Sequence, residues 1–175
     1  MSGSGEFDED WANVKRPYAR YALGVGLATF AAVGVALILQ HVSEMEPCAW
    51  CTLQRLLFIV MGVLSVGVWL TANNPGPARA LAALAVITGI AGVAAAMWQH
   101  LVAAASNSCA MTLADKIISA TYLDQLMPWM FQARAMCDEA NVPFLGVPFA
   151  LWSAILFVGF TLVMLIVTFA KGSMK

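Results

Sequence analysis

Four apolar runs constrain this chain more than any other feature of its sequence. A helix needs about 20 residues to cross roughly 30 Å of hydrocarbon, and the runs cover residues 21–40, 53–70, 80 to about 104, and 149–170. Hydrophobic residues make up 61% of the chain and charged residues only 11%, whereas a soluble domain carries roughly 25% charged residues. The sequence therefore predicts an all-α membrane protein, a four-helix transmembrane bundle formed as one domain by residues 17–170.

The two ends of the chain are expected to lie outside this domain. Residues 1–7 (MSGSGEF) look like a Gly/Ser linker left by cloning, within an N-terminal tail of residues 1–16, and residues 171–175 form a C-terminal tail. The first apolar run is longer than the core of a signal peptide and no small-x-small cleavage site follows it. We therefore expect this run to be an uncleaved anchor.

The placement of charge predicts the orientation in the membrane. Cytoplasmic segments are enriched in Lys and Arg. Six basic residues fall with the termini and the middle turn, and three fall on the other side; they are Lys15, Arg16, Arg20, Arg79, Lys171 and Lys175 against Arg55, Lys116 and Arg134. This bias predicts cytoplasmic termini and places all four cysteines on the outer side. The net charge of −1 and the absence of a basic patch argue against nucleic acid as a partner.

A Cys-x-x-Cys motif lies where a polar hairpin enters the second apolar run. Cys48 and Cys51 are spaced so that their sulfurs can meet, which is typical of redox or metal sites. A thiol in the first turn of a helix is favoured as a thiolate by the helix dipole. Arg55 follows Cys51 by four residues and shares its helix face. An ionisable residue inside a span is a candidate functional residue, although it can also extend to the interface.

Residues 105–148 form the only long segment outside the predicted spans, and they contain Cys109 and Cys137. The stretch between these cysteines mixes polar residues with Ile117, Ile118, Leu123, Leu126, Met127, Trp129, Met130 and Phe131. This composition predicts a short amphipathic helix on the outer leaflet, with Trp129 near the lipid headgroups. A helix packed on the bundle is the alternative.

Three kinds of site are compatible with four cysteines on an oxidising face. Two structural disulfides account for the even number, and they would suit a non-enzymatic membrane scaffold. A zinc site is disfavoured because such sites usually show two tight ligand pairs, whereas only Cys48 and Cys51 are close in sequence. A redox site explains why the tight pair lies beside an arginine.

The ordered set of motifs resembles the disulfide bond formation protein B (DsbB) family over residues 21–170. The matching positions are Gln40-His41-Val42, Pro47-Cys48-x-x-Cys51 with Arg55, Leu123-Asp124, Pro128, Phe131, Cys137, Phe144-Leu145-Gly146 and Trp152. The vitamin K epoxide reductase type is also a four-helix protein with two cysteine pairs. In that family the Cys-x-x-Cys follows the loop pair, whereas here it precedes the loop pair, which favours the DsbB family.

The resemblance implies an enzyme of the bacterial inner membrane that reoxidises a periplasmic thiol oxidase, DsbA. In this family the loop pair, here Cys109 and Cys137, takes electrons from DsbA, with Cys109 forming the mixed disulfide. Cys137 then exchanges with Cys48. The pair Cys48 and Cys51 passes the electrons to ubiquinone or menaquinone, and Cys51 faces the quinone.

Two further residues are implied as quinone-binding by the same resemblance. Arg55 is similar to the family's quinone-binding arginine. His100, near the outer end of the third run, is similar to a histidine placed near the quinone ring. The alternative for His100 is a polar residue at the membrane interface.

Overall fold

Four long helices dominate the computed structural model, which describes residues 4–105, 112–140 and 143–169, with side chains from residue 18 onward. The long helices are α1 (Ser4–Val42), α2 (Ala49–Leu70), α3 (Pro75–Trp98) and α7 (Phe149–Phe169). A π-helical turn, Gln99–Ala103, continues α3. Four segments are long and apolar enough to cross a membrane, namely Tyr18–Val42, Ala49–Leu70, Pro75–Ala103 and Phe149–Phe169. The predicted four-helix membrane bundle is confirmed.

Helix boundaries differ from the predicted ones at two places. Helix α1 begins at Ser4, within the segment expected to be a tail, because residues 6–16 include strong helix formers such as Glu, Ala, Lys and Arg. The sequence Asn73-Asn74-Pro75-Gly76-Pro77 predicts a turn between the second and third spans. This prediction is wrong in extent, since α3 already begins at Pro75. Proline is favoured at the first helical position, where its missing N–H has no intrahelical partner to lose.

Close helix contacts are made at glycines. A Cβ on Gly62 of α2 would lie 2.6 Å from Thr29 Oγ1 of α1, and a Cβ on Gly67 would lie 3.2 Å from Leu81 of α3. Glycines inside an apolar run predict positions of close helix packing, and these contacts confirm that prediction for Gly62 and Gly67. Between α2 and α7, the Phe58 and Phe157 rings stack with their centroids 3.8 Å apart. The helices thus pack in the order α1, α2, α3, α7, and α1 touches α7 less extensively than it touches α2.

The long outer loop folds into three short helices rather than one. They are α4 (Leu113–Ala120), α5 (Leu123–Leu126) and α6 (Pro128–Phe131). The single amphipathic helix is interrupted because Tyr122 takes a left-handed conformation (φ 55°) and Pro128 begins a new helix. Helix α4 packs on α2 and buries Ala114 and Ile118, as the packed alternative expected. Trp129 remains 49% exposed.

A two-residue hairpin turn leads into α7. Strands β1 (Pro143–Phe144) and β2 (Val147–Pro148) pair antiparallel, with Phe144 opposite Val147. Leu145 and Gly146 form the turn at φ 53° and 81°, the left-handed geometry of a type I′ turn. The Trp152 indole N–H donates to the Phe144 carbonyl at 3.0 Å. The hairpin turn and the Trp152 hydrogen bond together therefore fix the direction in which the chain enters α7.

Replacing Gly92 by alanine is expected to destabilise the bundle by about 1–3 kcal/mol through overpacking. The new Cβ would overlap the Phe157 ring, which is itself held against Phe58. Thermal unfolding in detergent measures the effect. Gly159→Ala on α7 is the control, because its Cβ would meet nothing within 4 Å. Equal unfolding temperatures for the two variants would contradict the packing of α3 on α7.

Candidate active site

Three sulfur atoms gather at the N-terminal end of α2. Cys48 is the N-cap residue of this helix and is fully buried, with its Sγ 3.0 Å from Cys51 Sγ. Both cysteines are free in this structure. Cys137, from the outer loop, lies within hydrogen-bonding range of Cys48. Cys48 is therefore contacted by a sulfur from its own helix turn and by a sulfur from the loop.

The segment before Cys137 is fixed to the chain just ahead of Cys48. The backbone N–H groups of Arg134 and Ala135 both donate to the Pro47 carbonyl, at 2.9 and 3.3 Å. The Trp50 N–H, in the first turn of α2, also donates to Cys137 Sγ. The free amides of a helix N-terminus favour negative charge, so the end of α2 is suited to hold a thiolate.

The contacts of Cys48 and Cys137 shift their pKa values in opposite directions. A hydrogen bond from Cys48, followed by the one from the Trp50 N–H, holds the pKa of Cys137 below its ordinary value despite partial burial. Hydrogen bonds to Cys137 and Cys51, together with burial, raise the pKa of Cys48. Cys137 is therefore the sulfur of this pair that ionises first, with Cys48 as the protonated donor.

Cys51 is contacted by an amide that the sequence reasoning missed. Gln99 Nε2 donates to Cys51 Sγ at 3.2 Å, and Gln99 Oε1 accepts from Gln54 Nε2 at 2.6 Å. Gln99 is fully buried in the π-helical turn that ends the third span. The sequence contains one signal for this contact. Two uncharged amides, Gln54 and Gln99, lie within the second and third apolar runs. The prediction had singled out the adjacent His100 instead.

Arg55 is buried in the bundle rather than extended to the interface. Its side chain is 6% exposed, and its NH1 group donates to Gln40 Oε1 at 2.7 Å and to the Met130 carbonyl at 2.8 Å. A guanidinium has five N–H donors. Two of these donors form the hydrogen bonds to Gln40 of α1 and Met130 of α6. The Arg55 side chain also borders a large cavity.

This cavity, of about 880 Å³, is bordered by α1, α2 and α7. Cys51, Gln54, Arg55 and Phe58 of α2 line its inner side. The remaining walls are mostly apolar. Loop residues that include Glu44, Glu46 and Glu139 form part of them, and α1 and α7 contribute Ala28, Ala32, Val35, Leu39, Phe149, Trp152, Leu156 and Phe160. An apolar cavity with a thiol and a buried cation on one side has the chemistry to bind a flat, lipid-soluble electron acceptor.

The other predicted site residues have different placements. His100 is half-buried in the π-helical turn, directly after Gln99, and it is not among the described residues that line the cavity. Cys109 lies outside the described residues. The structure thus brings together Cys48, Cys51, Cys137 and Arg55, and it adds Gln40, Gln54 and Gln99.

Comparisons with known proteins match most of the chain to one family. The sequence profile of the family described as "Disulfide bond formation protein DsbB" matches residues 18–167. A protein of Herminiimonas arsenicoxydans named disulfide bond formation protein B is 30% identical over 151 residues, covering 85% of this chain and 94% of that protein. A protein of the same name from Cupriavidus metallidurans is 29% identical over 157 residues, with 89% and 92% covered. A third, from Cupriavidus necator, is 32% identical over 137 residues, with 77% and 83% covered.

We expect Gln99→Leu to destabilise the protein by about 1–3 kcal/mol, because it leaves the buried Gln54 amide without its acceptor. The double change Gln54→Leu with Gln99→Leu removes both partners and is expected to recover much of this loss. Thermal unfolding of the two single variants, the double variant and the parent in detergent forms the test cycle. Purely additive losses would show that the two amides are not coupled.

Cys48→Ala is expected to move the pH profile of Cys137 alkylation to higher pH in the reduced protein. The hydrogen bond from Cys48 is the main cause of the lowered pKa of Cys137, and only the thiolate reacts. Mass spectrometry of the Cys137 peptide after short iodoacetamide pulses gives the profile. Cys48→Ser, which retains a donor, serves as the control. A profile that moves to lower pH in the alanine variant would refute this account.

Proposed function

This chain belongs to the disulfide bond formation protein DsbB family, and we propose that it reoxidises a DsbA-like periplasmic thiol oxidase and passes the electrons to a membrane quinone. The family match and the four spans make it a multi-pass membrane protein of disulfide bond formation. The contact of Cys48 with both Cys51 and Cys137 is the observation that carries the proposal, because it gives electrons a path from the loop to the cavity.

The proposed reaction begins at the loop pair. One thiolate of the reduced partner attacks Cys109 of a Cys109–Cys137 disulfide, forming a mixed disulfide and releasing Cys137 as a thiolate. The second thiol of the partner then attacks the partner's first sulfur in the mixed disulfide, and Cys109 leaves as a thiolate. The partner departs oxidised, and its two electrons remain on the loop cysteines.

Exchange at the end of α2 carries these electrons inward. The Cys137 thiolate attacks Cys48 of a Cys48–Cys51 disulfide, so the Cys48–Cys137 bond forms and the electron pair leaves on Cys51. The Gln99 amide and the Cys51 N–H lie at this corner of the helix, and the Gln99 amide donates to the sulfur that leaves. Attack by Cys109 on Cys137 then restores the loop disulfide and leaves Cys48 and Cys51 as a dithiol.

The residues of the cavity fit a quinone. A bound ubiquinone or menaquinone supplies a two-electron, two-proton acceptor for the Cys48 and Cys51 dithiol. Cys51 borders the cavity in which the acceptor would receive the electrons, and the apolar residues of α1 and α7 that line it suit an isoprenoid tail. Arg55 would donate hydrogen bonds to a quinone oxygen and stabilise negative charge there without losing its proton. His100 does not line the described cavity, but it directly follows Gln99, which donates to Cys51, and on this ground it is proposed to lie near the same ring.

The proposed location is the bacterial inner membrane. The described site cysteines gather at one end of the bundle, at the α1–α2 connection and beneath the outer loop. The distribution of basic residues supports cytoplasmic termini. With that orientation the cysteines face the periplasm, where disulfides persist and where a soluble thiol oxidase would dock.

Quinone absorbance, followed after addition of reduced DsbA to the purified protein in detergent, tests the function. Cys51→Ser is expected to abolish quinone reduction with any reductant, because the sulfur that borders the cavity is lost. Cys109→Ser is expected to abolish turnover with DsbA and to retain quinone reduction driven by dithiothreitol, which reaches the Cys48–Cys51 disulfide directly.

Two outcomes would contradict the proposal. Equal and partial losses in both variants would refute the order of electron transfer. No turnover with ubiquinone or menaquinone analogues, from protein whose disulfides are confirmed to be formed, would favour a membrane scaffold in which two disulfides only staple loops.

A further inference from the structure

A buried glutamine joins the end of the first span to the outer loop. Gln40 is 6% exposed, near the C-terminal end of α1. Its Oε1 accepts from Arg55 NH1 at 2.7 Å, and its Nε2 donates to the Trp129 carbonyl at 3.2 Å. Arg55 NH1 also donates to the neighbouring Met130 carbonyl at 2.8 Å. Two side chains of the bundle thus hold two consecutive carbonyls of α6; we call these three hydrogen bonds the α6 clasp.

The orientation of the Gln40 amide is dictated by its neighbours. Arginine can only donate hydrogen bonds, so the Gln40 oxygen must face Arg55. The Gln40 nitrogen then faces Trp129, whose carbonyl can only accept. In the four-residue α6, the Pro128 carbonyl accepts from the Gln132 N–H at 3.1 Å, whereas no described backbone N–H donates to the Trp129 or Met130 carbonyl. The clasp supplies donors to these two carbonyls.

The clasp lies on the segment that leads to Cys137. Carbonyls 129 and 130 are held by Gln40 and Arg55, and amides 134 and 135 are held by the Pro47 carbonyl. Phe131, between these two attachment points, is 2% exposed. Only Met136 separates the second attachment point from the reacting sulfur, so the position of Cys137 over Cys48 depends on both.

We propose that Gln40 is a positioning residue for disulfide exchange between Cys137 and Cys48, acting through the α6 clasp. The role rests on the proposed function, because it concerns the step in which the Cys137 thiolate attacks Cys48 and the electron pair leaves on Cys51. Arg55 takes part as well. If the loop lifts away, its buried guanidinium loses the Met130 carbonyl, which is costly for a charged group. The clasp therefore favours the state in which the loop is docked.

The change Gln40→Glu tests the hydrogen-bond donor of the side chain separately from the length of the side chain. A carboxylate keeps the length of the side chain and still accepts from Arg55, but it has no N–H for the Trp129 carbonyl. Gln40→Leu removes both functions. Gln132→Leu is the matched control, since Gln132 is an exposed glutamine in the same loop. Among the described hydrogen bonds, its side chain accepts only from Arg134, at 3.4 Å.

The first measurement needs neither a quinone nor a protein partner. In a Cys51→Ser, Cys109→Ser background, only Cys48 and Cys137 remain to pair. Equilibration with glutathione redox buffers, followed by alkylation and mass spectrometry, gives the effective concentration of the two thiols for each other. We expect Gln40→Glu and Gln40→Leu to lower it about three- to tenfold, the value of one net hydrogen bond, and Gln132→Leu to leave it unchanged. An unchanged value in Gln40→Glu overturns the proposal.

The second measurement separates positioning from an effect on the cavity. In protein with all four cysteines, Gln40→Glu is expected to lower kcat with reduced DsbA by a similar factor while the KM for the quinone is retained. A raised KM with an unchanged kcat would show that Gln40 acts on the cavity through Arg55, and would overturn the proposal. If the parent protein reduces no quinone, the proposed function fails, and the glutathione equilibrium still decides whether Gln40 positions the two thiols.

Discussion

A guanidinium inside a membrane bundle must be supplied with hydrogen-bond acceptors, because burial of an unpartnered charge is prohibitively unfavourable. Arg55 meets this requirement with neutral groups from two other parts of the chain, the Gln40 amide of α1 and the Met130 carbonyl of α6. The first span, the second span and the outer loop are therefore joined at one side chain. The same side chain borders the cavity, so the loop and the cavity share a common wall.

The N-terminal end of α2 is the second constraint on the site. A helix leaves its first amides without partners, and here sulfur atoms accept from two of them: Cys48 from the Cys51 N–H and Cys137 from the Trp50 N–H. The third sulfur, Cys51, accepts from the Gln99 amide. Each of the three sulfurs therefore has a hydrogen-bond donor close enough to stabilise negative charge on it.

Hydropathy predicted the four spans, small residues inside the second apolar run predicted the close contacts at Gly62 and Gly67, and the order of the motifs predicted the family. Long apolar runs and close helix contacts leave direct signals in the sequence. The break of the loop helix at Tyr122 was not predictable, because a left-handed tyrosine is fixed by its surroundings and not by its propensity. Gln99 was not predicted, because an uncharged amide in a span is a weaker sign of a functional site than the ionisable histidine beside it. Its inward direction is set by the π-helical turn, which no spacing rule for an α-helix contains.

The cavity is lined by apolar residues of the membrane spans α1 and α7 and by the Cys51 thiol. A molecule that entered it between these spans would be drawn from a two-dimensional solvent, so its relevant concentration would be its number per lipid and not its number per litre of water. The loop, in contrast, exchanges with molecules dissolved in the aqueous phase. In the proposed reaction, the contacts among Cys137, Cys48 and Cys51 would connect two phases with different diffusion laws. The two electron carriers would then never have to meet.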